Sequence, residues 1–303
     1  MTSVGPGNSR PSKNERRELA RQKAKALREE QKKKDRRNRV FLQGGIAVAA
    51  IAIVALIVLV IVNSVRPAGP GPANMASDGI LIGEGMQAAK TAGLKPEATP
   101  IASEPDESGT VADIRVYVDY LCPFCGQFEQ TNSEQIAQWV ESGAATVEIH
   151  PISILTSKSA GTQYSLRAAN AAACVANYSP DDFYAFNAAM FEDMPEEGSS
   201  GRTTDEIKTI VKSSGVTGLS SVNECIDDTK FKSWVLASTD RALAGPLPNT
   251  ELPAVDGTPT VLVNGNQYVG ALDDPKEFAS FVLQSAGESY STATPTPSPA
   301  PAG

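Results

Sequence analysis

The sequence predicts an α/β domain that carries a helical insertion and is preceded by one N-terminal transmembrane helix. Three observations predict this arrangement. A long apolar run lies near the N-terminus. Two strand patterns with a helical pattern between them follow it, since apolar residues recur at a period of about 2 in half-buried strands and about 3.6 in helices. A block of helical patterns then precedes a strong hairpin signal and a last helix.

The apolar run spans residues 44–62 and contains 19 residues without a polar side chain. As a helix it is about 28 Å long, enough to cross the hydrocarbon core of a bilayer. We therefore expect a transmembrane helix at residues 40–65. A cleaved signal peptide is the alternative interpretation. Its apolar region is usually shorter, about 7–15 residues, and no clean cleavage site follows the run here.

Charge is distributed unevenly about this run. Residues 1–39 hold 14 of the 27 Lys and Arg and five acids, a net charge of +9, whereas 13 basic and 30 acidic residues follow the run, a net charge of −17. The positive-inside rule places the basic tail in the cytoplasm and the following domain outside the cell membrane. We interpret the tail as a topogenic segment against membrane lipid and not as a nucleic-acid-binding arm.

Composition sets the domain boundaries. A Pro/Gly-rich linker is predicted at residues 66–78, one domain at residues 79–289, and a Pro/Thr-rich disordered tail at residues 290–303. Within the domain, helical patterns between about residues 160 and 245 predict an insertion.

The elements before the insertion alternate between strand and helix. The stretch DGILIG predicts a short leading strand, and TVADIRVYVDY predicts a buried strand. The next stretch, GQFEQTNSEQIAQWVESG, has helical spacing and ends at Gly143, and ATVEIHPISIL predicts a second buried strand.

The insertion and the C-terminal elements follow. Four helices are predicted from SLRAANAAACVANY, DDFYAFNAAMFED, TTDEIKTIVKSSG and FKSWVLASTDRALA, with Asp181 and Thr204 as N-caps. Asn264-Gly265 between two β-rich stretches predicts a hairpin. A final helix is predicted with Pro275 in its first turn.

All four cysteines lie after the apolar run, in a compartment expected to be oxidising. Cys122 and Cys125 form a CxxC motif, whose spacing suits a disulfide hairpin, half of a zinc site or a redox couple. Zinc needs about four ligands, and the chain has no second CxxC and one histidine, His150. We therefore expect no metal and no organic cofactor.

The position of the CxxC favours the redox interpretation. The motif falls where a predicted strand ends and a helix begins, and free N–H groups at a helix N-terminus stabilise a thiolate. Cys122 is expected to be the exposed nucleophile and Cys125 the shielded, resolving thiol. Pro123 suits the first helical turn because it has no N–H group to leave unpaired. Phe124 is apolar and can shape the surface.

Two segments carry a family resemblance. VDYLCPFCGQFE is similar to the active-site segment of the DsbA-like thiol:disulfide oxidoreductases of the thioredoxin superfamily, and DGTPTVLVNG is similar to their second landmark. The resemblance covers residues 110–286 and extends to membrane-anchored actinobacterial members. It implies a thioredoxin-like fold with a helical insertion and a cis-proline beside the CxxC, which is Pro259 after Thr258.

The resemblance also implies a function. The expected activity is that of an extracytoplasmic oxidoreductase that introduces disulfides into unfolded or reduced exported proteins through Cys122 and Cys125. Reoxidation would need a quinone-linked membrane partner of the DsbB or vitamin K epoxide reductase (VKOR) type. Pro123, Phe124, Thr258 and Pro259 would contact the substrate.

The sequence departs from the family pattern at two positions near the motif, one of which is Phe124, where the family's enteric oxidase has a histidine. Many relatives carry a buried acid six residues before the first cysteine, where this chain has Val116. Asp119 is a possible substitute, although strand alternation predicts that it points to the other face.

The two remaining cysteines and the histidine are expected to be structural. Cys174 and Cys225 are expected to form a disulfide, because the compartment and the even cysteine count favour a bridge over two buried free thiols. His150 is expected to have a satisfied hydrogen bond and not to act as a general acid.

Two other functions remain open from the sequence. One is a disulfide reductase or isomerase of the same fold, and the other is a non-catalytic thioredoxin-like binding module. The intact CxxC argues against the binding module.

Overall fold

The computed structural model describes residues 13–64, 69–106 and 109–292. The chain divides into two compact units, Met1–Pro67 and Ala68–Gly303, which are described separately.

The N-terminal unit is one helix, α1, which spans Lys13–Ser64 and includes the apolar run. Within the described residues, one segment, Arg21–Ala55, has the length and composition needed to cross a membrane. The helix begins within the basic tail, of which residues 1–12 lie outside the described part of the chain.

The second unit is built on one mixed sheet, which confirms the α/β class. Its strand order is β2-β1-β4-β3-β5-β6. β3 pairs in parallel with β4, and every other pair is antiparallel. The strands are β1 Ile80–Gly83, β2 Gln87–Ala88, β3 Ala112–Val118, β4 Ala145–Pro151, β5 Thr260–Val263 and β6 Asn266–Gln267.

Among the described residues of this unit, seven α-helices accompany the sheet. They are α2 Pro123–Glu141, α3 Tyr164–Tyr178, α4 Phe183–Met190, α5 Thr204–Ser213, α6 Leu219–Asp227, α7 Lys232–Ala244 and α8 Pro275–Thr292. Helices α3 to α7 lie between β4 and β5, where the sequence predicts the insertion. The sequence did not predict α6, because its short, Ser- and Asn-containing stretch has weak helix propensity.

Both predicted N-caps were wrong. The cap of α5 is Thr203, one residue before Thr204, and it forms a reciprocal capping box with Glu206. The Asp181 carboxylate instead accepts hydrogen bonds from the Ala88 N–H at 3.0 Å and the Lys90 ammonium at 2.6 Å. It therefore joins the helical insertion to the edge strand β2.

The central strand β3 presents different chemistry on its two faces. Ile114 and Val116 enter the main hydrophobic core, which α2 and α3 also line. Arg115 and Tyr117 point to the opposite face because side chains alternate along a strand. There the fully buried Arg115 donates to Glu148 on β4 at 2.8 Å.

The predicted linker at residues 66–78 needs correction. Met75 and Ala76 are buried in the second unit. The backbone of the predicted linker is also anchored. The Gly71 N–H donates to the Leu94 carbonyl at 2.7 Å, and the Ala73 N–H donates to Asn177 Oδ1 at 2.8 Å. The Pro/Gly composition predicted a linker, but residues 69–78 pack as part of the domain, and residues 66–68 lie outside the described part of the chain.

The C-terminal boundary also differs from the prediction. Helix α8 continues to Thr292, so residues 290–292, predicted as part of the tail, are helical. Residues 293–303 lie outside the described part of the chain.

Candidate active site

The CxxC motif lies at the junction of β3 and α2. Cys122 is the N-cap of α2, with extended backbone angles (φ −81°, ψ 116°), and Pro123 is in the first helical turn. The Cys122 N–H donates to the Asp119 carbonyl at 2.9 Å, which closes the turn between strand and helix. The strand-to-helix position predicted from the sequence is therefore present.

The two cysteines are free thiols and both are buried. Cys122 is 5% exposed and Cys125 is completely buried. The expectation that Cys122 is the more accessible thiol holds, but it is much less exposed than predicted. The exposed surface of the motif is formed by Pro123 and by Phe124, which is 60% exposed.

Hydrogen bonds lower the pKa of Cys122 to about 6. The largest contribution is the hydrogen bond from the Cys125 thiol, which outweighs the opposing effect of burial. The Thr258 side chain and the backbone N–H groups of Cys125 and Phe124 lower it further. These N–H groups are the unpaired donors of the first helical turn, so the helix start itself stabilises the thiolate.

Cys125 has the opposite environment. Burial, and then the interaction with Cys122, raise its pKa well above the usual thiol value. The Asp119 N–H lies 3.5 Å from Cys125 Sγ and opposes this effect. The pair therefore contains one thiol that ionises readily and one that holds its proton.

The segment DGTPTVLVNG, which carries Thr258 and Pro259, lies beside the CxxC motif. β5 pairs antiparallel with β3, with Thr260 opposite Tyr117, so the residues before β5 adjoin those after β3. Thr258 and Pro259 are half-buried and are joined by a cis peptide bond. The Cys122 thiol donates to the Thr258 carbonyl oxygen at 3.0 Å.

Asp119 does not take the place of the family's buried acid. Its carboxylate is fully buried and accepts hydrogen bonds from the N–H groups of Leu121 and Leu155 and from the Ser165 hydroxyl. Burial raises its pKa, and these three donors oppose the rise. The carboxylate thus holds the loops around the motif, and it is the backbone N–H of Asp119 that contacts Cys125. Val116 packs in the main core.

The sequence analysis missed a second buried acid, Glu129. It lies on α2, four residues after Cys125, and is 4% exposed. Burial raises its pKa to about 7, and the Asn187 side chain opposes this rise. Its position on the buried face, in step with Cys125 and Ile136, was visible in the helical spacing of α2.

His150 is not part of the site. Its ring stacks on Tyr117 with a centroid distance of 4.4 Å. Its Nε2 lies 3.3 Å from Glu148 Oε2 but forms no well-aligned hydrogen bond. His150 therefore packs beside the Arg115–Glu148 ion pair on the sheet face opposite the main core, and its Nε2 has no hydrogen-bond partner among the described residues.

The other two cysteines form a disulfide. Cys174 on α3 and Cys225 on α6 are bonded across a sequence separation of 51 residues. Both are buried in the main core. The bridge joins two helices of the insertion.

Comparison with known proteins identifies the fold. A family model described as Thioredoxin matches residues 108–283, more than half of the chain. No curated protein matches this chain. Several solved structures match this chain over nearly their whole length.

These structures include DsbG and DsbA from Mycobacterium tuberculosis. The reduced form of the disulfide bond oxidoreductase DsbG is 26% identical with a TM-score of 0.50, covering 76% of this chain and 97% of that chain. Oxidised DsbA is 28% identical with a TM-score of 0.51, covering 71% of this chain and 100% of that chain.

A third structure, oxidised BdbD from Bacillus subtilis, is 19% identical with a TM-score of 0.50, covering 73% of this chain and 100% of that chain, and it supports the fold alone. The chain belongs to the thioredoxin family, among the DsbA-like thiol-disulfide oxidoreductases.

Proposed function

We propose that this protein introduces disulfides into exported proteins outside the cell membrane, with Cys122 as nucleophile and Cys125 as resolving thiol. The observation that carries the proposal is the contrast between the two thiols: the pKa of Cys122 is lowered to about 6 and that of Cys125 is raised. A stabilised thiolate favours the reduced form of the enzyme, so the Cys122–Cys125 disulfide would be oxidising.

The reaction begins with the Cys122–Cys125 disulfide. A substrate thiolate attacks Cys122 Sγ, which breaks the enzyme disulfide, forms a mixed disulfide and releases the Cys125 thiolate. A second substrate thiolate then attacks the substrate sulfur of the mixed disulfide and releases the Cys122 thiolate. Two electrons pass from the substrate to the enzyme, and Cys125 takes up a proton.

The surface around Cys122 suits an unfolded chain. Phe124 offers an exposed apolar ring beside the nucleophile, and Pro123 continues this surface. Thr258 and Pro259 present backbone to an extended substrate, which would pair as an added strand. These four residues are the proposed substrate contacts.

The proposed location is the outer face of the cell membrane. Helix α1 supplies the single span, with the basic tail in the cytoplasm and the second unit outside. The Cys174–Cys225 disulfide suits an oxidising compartment. In this location a quinone-linked membrane protein of the DsbB or VKOR type would reoxidise the dithiol.

The reduction potential of the full-length protein in detergent tests the direction of electron flow. A value near about −120 mV supports the oxidase, whereas a value near about −270 mV would identify a reductase. Redox equilibration against glutathione, followed by alkylation of Cys122, measures it.

A trapping experiment tests whether the protein reacts with exported proteins at all. In the Cys125→Ser variant no second enzyme thiol can displace a partner from Cys122, so we expect exported proteins to accumulate there as mixed disulfides. The Cys122→Ser variant is the matched control and should trap none. Equal recovery of partners by both variants under reducing and non-reducing conditions would indicate a binding module without turnover.

A further inference from the structure

A cavity of about 400 Å³ lies on the sheet face opposite the main core. Tyr117 on β3 and His150 on β4 line it from the sheet, and Arg241 and Ala242 line it from α7. The loop that follows α7 and residues 99–102 complete the wall. No cysteine is among the lining residues, so the cavity is separate from the CxxC motif.

The size and the wall of this cavity suit a small molecule. Cavities that hold such ligands usually measure about 300–1,000 Å³ and are lined mainly by apolar side chains with a few polar groups. Ordered water is less suited to the space, because each water needs two to four polar partners. The apolar part of the wall is formed by Pro100, Ile152, Ala242, Pro246, Leu247 and Pro248.

The charged side chains that line the cavity are already paired. Arg241 donates to the two carboxylate oxygens of Asp78 at 2.6 and 2.7 Å, and this bidentate pair balances both charges. None of the other described residues that line the cavity is Asp, Glu, Lys or Arg. A charged ligand would therefore find no free counter-charge there, so an uncharged ligand is favoured.

The Tyr117 hydroxyl is an unused hydrogen-bonding group at this cavity. Tyr117 is 3% exposed, and its hydroxyl forms no hydrogen bond with any described residue. Burial raises the pKa of Tyr117, and although Arg115 opposes the rise, Glu148 and Asp78 add to it. The hydroxyl therefore keeps its proton at neutral pH and can donate it. A buried hydroxyl without a partner is unfavourable, and a phenylalanine would fill the same space without that cost.

The His150 ring completes an aromatic surface on the sheet side of the cavity. It stacks on Tyr117 with a centroid distance of 4.4 Å. A Cβ atom at Gly79 would lie 2.6 Å from His150 Nε2, so the Gly79 backbone covers this unpaired nitrogen closely. The Tyr117 hydroxyl is thus the unpaired group available to a ligand, beside a surface on which a planar ring would pack.

We propose that this cavity binds an uncharged, mostly apolar small molecule that has a planar ring and a carbonyl oxygen. The apolar wall and the stacked rings of Tyr117 and His150 would hold the ring of the ligand, and its oxygen would accept a hydrogen bond from the Tyr117 hydroxyl. This binding site is distinct from the disulfide chemistry and does not depend on the proposed redox function.

Benzophenone is the probe that tests the site. It is uncharged, has two aromatic rings and one carbonyl oxygen, and under near-ultraviolet light its carbonyl carbon bonds to nearby C–H groups. The full-length protein in phosphatidylcholine nanodiscs is irradiated at increasing benzophenone concentrations, and peptide mass spectrometry locates the adducts. In the wild type we expect adducts at residues 242–248 whose yield saturates with concentration.

Two variants separate filling of the cavity from loss of the hydrogen bond. Ala102→Trp places a large ring at the cavity wall and should lower labelling of residues 242–248 by at least about tenfold. Ile101→Trp is the matched control, because Ile101 is 62% exposed and does not line the cavity, and it should label as the wild type does. Tyr117→Phe should raise the half-saturating concentration by about 2–12-fold, the range for loss of one hydrogen bond.

The outcomes decide both parts of the proposal. Labelling of residues 242–248 that does not saturate, or that is equal in the wild type and Ala102→Trp, would overturn the binding site, because the probe would then react from outside the cavity. An unchanged half-saturating concentration in Tyr117→Phe would overturn the hydrogen bond to the ligand oxygen. A cooperative urea unfolding transition reports folding of each variant. If Ala102→Trp does not fold, Thr99→Trp carries the same test, since Thr99 is exposed and also lines the cavity.

Discussion

The Sγ atom of Cys122 lies 3.0 Å from the carbonyl oxygen of Thr258, a residue 136 positions later in the chain. The contact exists because β5 pairs with β3 and brings the loop before β5 to the start of α2. The Thr258 side chain also lowers the pKa of Cys122. The pKa of Cys122 is therefore set by two separate parts of the sequence, the start of α2 and the loop before β5.

Replacing Thr258 tests how far its side chain lowers the pKa of Cys122. Thr258→Val removes the side-chain hydroxyl and should raise the pKa of Cys122 above about 6. One hydrogen bond contributes about 0.5–1.5 kcal/mol, which corresponds to a rise of roughly half to one pH unit. The pH dependence of Cys122 alkylation measures it. Thr258→Ser keeps the hydroxyl and should leave the pKa near the wild-type value. An unchanged pKa in Thr258→Val would exclude the side chain as a donor.

The Cys174–Cys225 bridge is expected to act on stability and not on redox chemistry. It closes a separation of 51 residues, for which the chain-entropy model gives a contribution of about 4 kcal/mol. The double variant Cys174→Ala/Cys225→Ala should lose stability of this order in urea unfolding. Its Cys122 pKa should match the wild type. Cys122→Ser/Cys125→Ser keeps the bridge and is the control, so a loss of equal size there would contradict the prediction.

The local features of the site were predictable from the sequence, and the long-range ones were less so. The CxxC at a strand-to-helix junction follows from the spacing around Cys122, because helix start signals are local. The near-complete burial of Cys122 depends on contacts with the loop that carries Thr258, which no local pattern encodes. Recognising Pro259 required resemblance to a family, since sequence spacing does not determine a cis bond.

Two features that the sequence did not predict, the packing of residues 69–78 and the burial of Glu129, share a physical cause. The segment at residues 69–78 has a linker-like composition, yet it packs because Met75 finds a place in the core. Glu129 was overlooked because an acid on a helix is usually solvent-exposed. Its burial results from the packing of α4, which carries Asn187, against α2. Both features depend on tertiary contacts that composition does not report.

The buried ion pair of Arg115 and Glu148 predicts a dependence of stability on pH. Burial alone raises the pKa of Glu148, but His150, Arg115 and Ser77 lower it more strongly, so its folded-state pKa lies below the usual value. Its stabilising contribution is therefore present above the unfolded-state pKa, 4.5, and is lost as pH falls towards the folded-state value.

Glu148→Gln should destabilise the protein at neutral pH by about 3–5 kcal/mol, because it removes the nearer of the two carboxylates that pair with the buried Arg115 charge and leaves only Asp113, at 3.7 Å. Urea unfolding at neutral and acidic pH measures this, and the difference between variant and wild type should shrink in acid. The double variant Arg115→Met/Glu148→Gln removes both charges and should lose less stability. A larger loss in the double variant would contradict this account.

Glu129 predicts the opposite dependence. Its folded-state pKa, about 7, is above the usual value of 4.5, so the folded protein holds this proton more tightly than the unfolded chain. The contribution of this group to stability is therefore complete below pH 4.5 and decreases as pH rises through about 7. The decrease is about 3 kcal/mol, since a tenfold difference in proton affinity between the folded and unfolded states corresponds to about 1.4 kcal/mol.

Glu129→Gln should abolish this decrease. We expect the variant to be more stable than the wild type at pH above about 7, and the advantage to decline as the pH is lowered. Urea unfolding of the reduced protein across this range measures it, with Glu134→Gln as the exposed control. A variant with the same pH profile as the wild type would show that the Glu129 carboxyl titrates normally. A stability gain of the variant at high pH would show that the buried Glu129 carboxyl costs the wild type stability in its charged form.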